Sequence, residues 1–321
     1  MLFGYVFAVI AGFLLTAVRN WTGLPTPAGG ALAAIAALWV TARALAFVSL
    51  PAAAAADALF AIAVAWAIGK PLAASGNRRN LFFVALVLAL GAASVAFSFR
   101  PAAAAALGLD VVLFVMAVMG GRVIPAFTNN ALPDTRARRV KALEIAALGS
   151  VLVLLALDFL DLRAAAAATA LAAAVLHAAR LALWAPLKTR ARPILWILHS
   201  SYAWIVVHLA LRGLGGLDVL SPVLATHALT VGAIGGLTLG MMTRTARGHT
   251  ARPLVAGPLE VAAYVLVHAA AALRVFVPLA APSLAVASIV LSAALWGAAF
   301  ILYLAAFTPI LSRPRLDGKP G

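Results

Sequence analysis

The chain has no cysteine, which removes disulfides, thiolate metal sites and cysteine nucleophiles from consideration. Carboxylates are also scarce: nine Asp and Glu among 321 residues leave nothing from which to build a carboxylate-rich metal cage. Neither a nucleotide-binding loop nor a complete hydrolase triad is present. Charged residues make up only 10% of the chain, against about 25% in a typical soluble domain. No long polar stretch intervenes to carry a separate soluble activity. What is there is apolar, 65% of all residues, and a soluble core of that composition would have no surface to show to water. Seventeen prolines and 24 glycines divide it into apolar blocks of roughly twenty residues, the length an α-helix needs to cross about 30 Å of hydrocarbon. The expected fold is all-α, a polytopic integral membrane helical bundle. It forms a single transmembrane domain over residues 1–321, with a short cytoplasmic tail at 308–321.

About eleven spans are expected, near 1–18, 28–48, 52–69, 81–99, 102–120, 142–160, 164–184, 194–211, 222–242, 255–275 and 283–307. Arg43 and Pro51 interrupt the second and third. No clear internal repeat is visible, which weighs against a standard inverted-repeat transporter.

A net charge of +15 invites nucleic acid, yet no compact basic domain exists to bind it, and the charges follow topology instead. Lys70, Arg78 and Arg79 follow the third span; Arg136, Arg138, Arg139 and Lys141 the fifth; Lys188, Arg190 and Arg192 the seventh; Arg244, Arg247 and Arg252 the ninth. Arg313, Arg315 and Lys319 end the chain. These clusters belong on the cytoplasmic side and put the C-terminus there. The opposite connections carry mostly single basic residues (Arg100, Arg163, Arg212, Arg274) with Asp158, Asp161 and Asp218 nearby. An odd number of crossings ending inside starts outside, at Met1, and Leu2-Phe3-Gly4-Tyr5 has no basic region or cleavage site of a signal peptide. A further span preceding Met1, making twelve, is the expectation.

Polar groups inside spans are costly in lipid and usually face the bundle interior or a cavity. Five of the six histidines fall there: His177, His199, His208, His227 and His268. The topology puts His208, His227 and His268 near the outer ends of the eighth, ninth and tenth spans, and His177 and His199 toward the inner halves of theirs. Neutral imidazole ligates haem iron or copper, and it also relays protons because its pKa is near neutrality. Any one of these rings has a plain structural alternative, satisfied by a hydroxyl or a carbonyl. His199 and His208 are nine apart, outside the i,i+4 spacing that lets one helix bind a metal, so a site must be assembled between helices. His249 reads as a solvated residue of a basic cytoplasmic loop.

Three segments add polar candidates. Thr16, Arg19, Asn20, Trp21 and Thr22 cluster at the inner end of the first span, as interfacial anchors or as the lining of a cavity. Gly120-Gly121-Arg122-Val123-Ile124-Pro125 closes the fifth span; Arg122 snorkels to the headgroups or holds an anionic group such as a haem propionate. The ninth span runs from Thr226-His227-Ala228-Leu229-Thr230 through Gly232, Gly235, Gly236 and Gly240 to Met241-Met242-Thr243-Arg244. Small residues there permit tight helix packing or a flat ligand alongside.

Four ordered blocks resemble the NnrS family of multi-pass membrane proteins. They are Leu2-Phe3-Gly4-Tyr5 through Gly12-Phe13-Leu14-Leu15-Thr16 to Asn20-Trp21-Thr22-Gly23; Gly121-Arg122-Val123-Ile124-Pro125 with Phe127-Thr128; His227-Ala228-Leu229-Thr230-Val231-Gly232; and Met242-Thr243-Arg244 through Arg247-Gly248-His249-Thr250 to Arg252-Pro253-Leu254. The resemblance covers essentially the whole chain. Ala251 departs from it, since glycine is expected between Thr250 and Arg252.

The resemblance implies a bacterial inner-membrane protein that binds haem and copper and acts in denitrification and the response to nitric oxide and nitrosative stress. Its expected partners are the lipid bilayer and nitric oxide or metal-nitrosyl species. It implies twelve spans, with a histidine-rich helix running directly into the segment that begins here at Met1. His227 is then the leading haem ligand, with His208 or His268 as its partner or as a copper ligand, Arg122 as a cofactor contact, and His199 with His177 as the alternative pair. A histidine-lined transporter or proton-coupled carrier without haem uses the same buried imidazoles.

Overall fold

The computed structural model describes residues 2–318. Met1 and Lys319, used above for orientation, lie outside the described residues. The helices are α1 Leu2–Thr22, α2 Gly29–Leu45, α3 Leu50–Ala74, α4 Arg78–Phe97, α5 Pro101–Ala131, α6 Lys141–Phe159, α7 Arg163–Leu183, α8 Pro193–Gly216, α9 Pro222–His249, α10 Pro258–Ala280 and α11 Pro282–Leu311. No strand occurs among the described residues. Ten of the eleven are long and apolar enough to cross a membrane, and α2, at 17 residues, is the shorter exception. The expected polytopic all-α bundle is therefore what the chain forms.

Several helix limits differ from the expected ones, each for a local reason. Arg43 does not break α2, because its guanidinium pairs with the buried Asp57 of α3. Pro51 does not delay α3 either: it sits in the first turn, where a missing N–H costs nothing, behind the N-cap Ser49, whose hydroxyl accepts from Ala52 N. The Gly120–Pro125 segment does not close α5, which continues through Pro125 to Ala131. Past its end the Asn129 side chain clamps the following loop, donating to the Ala137 carbonyl (2.9 Å) and accepting from Ala137 N (2.7 Å). His249 is not in a loop: it is the exposed last residue of α9. Arg274 likewise lies within α10.

Four helices end in the same backbone device. The N–H groups of Asn77, Leu162, Val219 and Arg252 each reach back to the carbonyl five residues earlier, around a residue in the left-handed conformation: Gly76, Asp161, Asp218 and Ala251. This closes orphan carbonyls at a helix C-terminus and favours glycine, with Asn or Asp next best. Asp161 and Asp218, read above as topological charges, thus have a conformational role.

The chain divides into two compact units, 1–115 and 116–321. In the first, α3 packs mainly on α4, α2 and α1. Asp57 is its polar centre, accepting from Ser94 (2.8 Å) besides pairing with Arg43. In the second, α8 packs against α7 and α9, and α10 against α11. All six histidines belong to this second unit. Large apolar side chains such as Trp66, Phe159 and Val290 stand exposed on the helices, as a lipid environment requires.

Candidate functional site

Hydrogen-bond chemistry sorts the five span histidines. A carbonyl only accepts, so any ring nitrogen bonded to one carries the proton, and the other nitrogen holds the lone pair a metal needs. Metal-bound histidines are typically oriented in this way, by an N–H donated to a carbonyl or carboxylate.

His177 and His268 are each engaged at both nitrogens. His177 is fully buried; its Nε2–H donates to the Ala147 carbonyl (3.1 Å) and its Nδ1 accepts from the Tyr202 hydroxyl (2.6 Å). His268 accepts at Nδ1 from the Trp204 indole N–H (3.1 Å), and its Nε2 bonds the Ser200 hydroxyl (2.7 Å). The Ser200 oxygen lies within reach of the Trp196 and Ile197 carbonyls as well. These rings tie α7 and α10 to α8.

His199 is also engaged at both nitrogens: Nδ1 bonds the Leu195 carbonyl one turn earlier (3.1 Å), and Nε2 lies 3.3 Å from the Thr128 hydroxyl, whose own proton goes to the Ile124 carbonyl (2.8 Å). His208 shows the other pattern. Nδ1–H of His208 donates to the Ala225 carbonyl (2.8 Å) in the first turn of α9. Its Nε2 is the ligating atom by tautomer.

His227 differs from both. It makes no hydrogen bond among the described residues, is half-buried, and has the Arg274 guanidinium of α10 within electrostatic range. It also stands at the head of a π-helical stretch, Ala228–Ile234, inside α9. Such widened turns recur at functional sites in helices. Beyond it, the glycines of α9 bring neighbouring helices close: a Cβ at Gly232 would run into the Trp204 ring, and one at Gly236 into the Ser201 hydroxyl. Gly235 abuts Trp296, and Gly240 abuts Leu198. The glycine run is therefore filled by side chains of α8 and α11.

The structure thus brings His208 to the turn that carries His227, and seats His268 on α8 one helix over. Among the described residues, no group of three His, Asp or Glu side chains could hold a metal ion. A haem asks for fewer protein donors than that, and His227 and His208 each carry an imidazole nitrogen of the required kind. A copper ion requiring three or more protein donors does not find them among the described residues. Arg122 is half-buried in the middle of α5.

One network escaped the sequence reading. Arg180 of α7, 1% exposed, makes a two-pronged pair with Glu144 of α6 (Nε to Oε1 2.9 Å, Nη2 to Oε2 2.9 Å). It also donates to the Tyr202 hydroxyl (2.7 Å) and the Ala117 carbonyl (3.0 Å). Its guanidinium faces the Trp184 ring, 5.2 Å from the centroid. The Gly120-Gly121 pair makes room for this: a Cβ at Gly121 would collide with the Arg180 guanidinium, and one at Gly120 would stand 2.8 Å from the Tyr202 ring. The signal available was Glu144, an acid inside an apolar span, where ionisable groups seldom sit unpaired.

No curated protein matches the chain. A family model described as NnrS protein matches residues 1–315, nearly its full length. With the polytopic helical fold and the ordered motifs all in place, the chain belongs to the NnrS family.

Proposed function

We propose that the chain is a membrane haem protein of nitric oxide metabolism or protection from nitrosative stress, with histidine ligands contributed between helices. Family membership supports the link to the nitric oxide response. The observation that carries the cofactor is His227: among the five span histidines it is the one with no hydrogen bond at either ring nitrogen among the described residues, and it stands immediately before the π-helical stretch Ala228–Ile234. When bound, haem would supply an iron centre for nitric oxide. His227 would hold that group from α9, within range of the positive charge of Arg274. His208, fixed by the Ala225 carbonyl, would offer Nε2 from α8 as a second imidazole nearby, for a proton or a copper ion. Copper takes second place in this reading, for want of a three-donor cluster. His177 and His268 are structural members, and Arg122 is a candidate contact for an acidic cofactor group. The reading places the protein in the bacterial inner membrane with its C-terminus in the cytoplasm, because the basic clusters gather at every second connection.

The test is the optical spectrum and metal content of the purified full chain supplied with haem and copper. A Soret band at near-stoichiometric haem supports the reading. Its absence, with the protein folded, favours the histidine-lined transporter or proton-coupled carrier without haem.

A further inference from the structure

A cleft of about 310 Å³ opens at the basic end of the second unit, away from His208 and His227, lined by Asn130, Arg192, Ile194, Leu195, Arg244 and Leu254. Arg244 is the unusual member. It is 9% exposed, yet no carboxylate pairs with it and no hydrogen bond engages it among the described residues. Its guanidinium lies over the Phe127 ring, 3.7 Å from the centroid. Stacking of this kind satisfies the flat face of the group and leaves its edge of N–H donors unspent. Neighbouring arginines show what the sequence does with a buried cation when it is to be neutralised: Arg180 has Glu144, and Arg247, one turn from Arg244, has Glu260.

The rest of the lining has the same polarity. Arg192 is the N-cap of α8, and Ile194 and Leu195 belong to that helix's first turn, the positive end of a 24-residue helix. Anions bind at such ends. Asn130 contributes a side-chain amide from the last turn of α5. The C-terminal end of α5 alone repels an anion, but two guanidiniums and an N-terminus outweigh it. No acidic side chain lines the cleft.

Depth narrows the ligand. At 28 residues α9 is ~42 Å long by the 1.5 Å rise per residue, which exceeds the ~30 Å hydrocarbon core. With Arg244 and Arg247 in its last two turns, α9 has the length to carry that end to the interfacial layer, where long basic side chains reach lipid phosphates. We propose that Arg244, with Arg192 and Asn130, forms a phosphate-binding site at this surface. Bidentate guanidinium contacts are suited to phosphate oxygens, and the group comes from either an anionic phospholipid headgroup or free phosphate. The site does not rest on the haem reading, whose candidate ligands His227 and His208 line no part of it.

The experiment measures retention of phosphatidylglycerol by native mass spectrometry, and binding of inorganic phosphate by calorimetry, on the full chain in nanodiscs of zwitterionic lipid. Wild type is compared with Arg244→Gln, Arg244→Lys, Arg192→Gln and, as a charge control, Arg313→Gln. The site predicts at least tenfold weaker binding for Arg244→Gln, a smaller loss for Arg244→Lys and Arg192→Gln, and none for Arg313→Gln. Lipid retained without competition from phosphate assigns the headgroup as the source, and binding of phosphate itself assigns the free ion. Should Arg244→Gln not fold, the Lys and Arg192 variants carry the comparison. Wild-type protein that binds neither probe, or equal losses in Arg313→Gln and Arg192→Gln, overturns the proposal.

Discussion

Nδ1 of His208 donates to the carbonyl of Ala225 across 2.8 Å, joining the middle of α8 to the first turn of α9, two residues before His227. That bond fixes both the tautomer of one imidazole and the position of the turn bearing the other. His208→Ala is expected to lower haem content several-fold and to shift the remaining absorption band. His268→Ala and His177→Ala should leave haem content near wild type and instead destabilise the fold by about 1–2 kcal/mol for the lost bonds, seen as a lower thermal midpoint. Haem titration alongside thermal unfolding in detergent separates the two classes.

The Arg180–Glu144 pair should be the most sensitive polar feature of the second unit. Removing one partner of a buried ion pair leaves an uncompensated charge, at a cost of about 3–5 kcal/mol. Glu144→Gln and Arg180→Met are expected to fall in that range. Arg139→Gln should cost well under 1 kcal/mol, because Arg139 touches Glu144 at 3.3 Å with its side chain 48% exposed. Folded yield and melting temperature decide it, and a cost for Arg139→Gln equal to that for Glu144→Gln would sink the assignment.

Gly121→Ala should reproduce the Arg180 defect, since its new methyl group occupies the space of the guanidinium. Gly12→Ala, with nothing within 4 Å of a Cβ, is the matched control. An overpacked core typically loses about 1–3 kcal/mol. Equal melting of the two variants contradicts the packing described.

Ala251 offers a gain of stability. Its φ of 57° is left-handed, and it is the pivot of the hydrogen bonds Ala251 N to Gly248 O (3.2 Å) and Arg252 N to Arg247 O (2.9 Å) that end α9. Ala251→Gly removes a steric penalty of about 1–2 kcal/mol and should raise the melting temperature. Ala251→Val should lower it.

Much of this fold was legible because lipid imposes a simple rule: backbone groups must be satisfied within each segment, so apolar blocks become helices. The resemblance-based departure at Ala251 was legible too, and the left-handed backbone gives its reason. Helix ends were less so. Pro125 and Pro51 look like breakers in one dimension, but each falls where the helix tolerates it. The candidate site was legible as a set of residue types and not as an arrangement. His268 and His227 look alike in sequence, both imidazoles in apolar helices; only the positions of Trp204 and Ser200 show that the first is already engaged. Arg244 was legible as a topological charge, whereas its stacking on Phe127, 117 residues away in the chain, is a tertiary fact.

The most direct test of the account compares the Soret absorbance of the haem-loaded full chain with that of His227→Ala and His249→Ala, all at equal folded protein. The account predicts loss of the band in His227→Ala and a wild-type band in His249→Ala, whose ring is exposed at the end of α9. Equal bands in the two variants would contradict the assignment of His227 as the haem ligand.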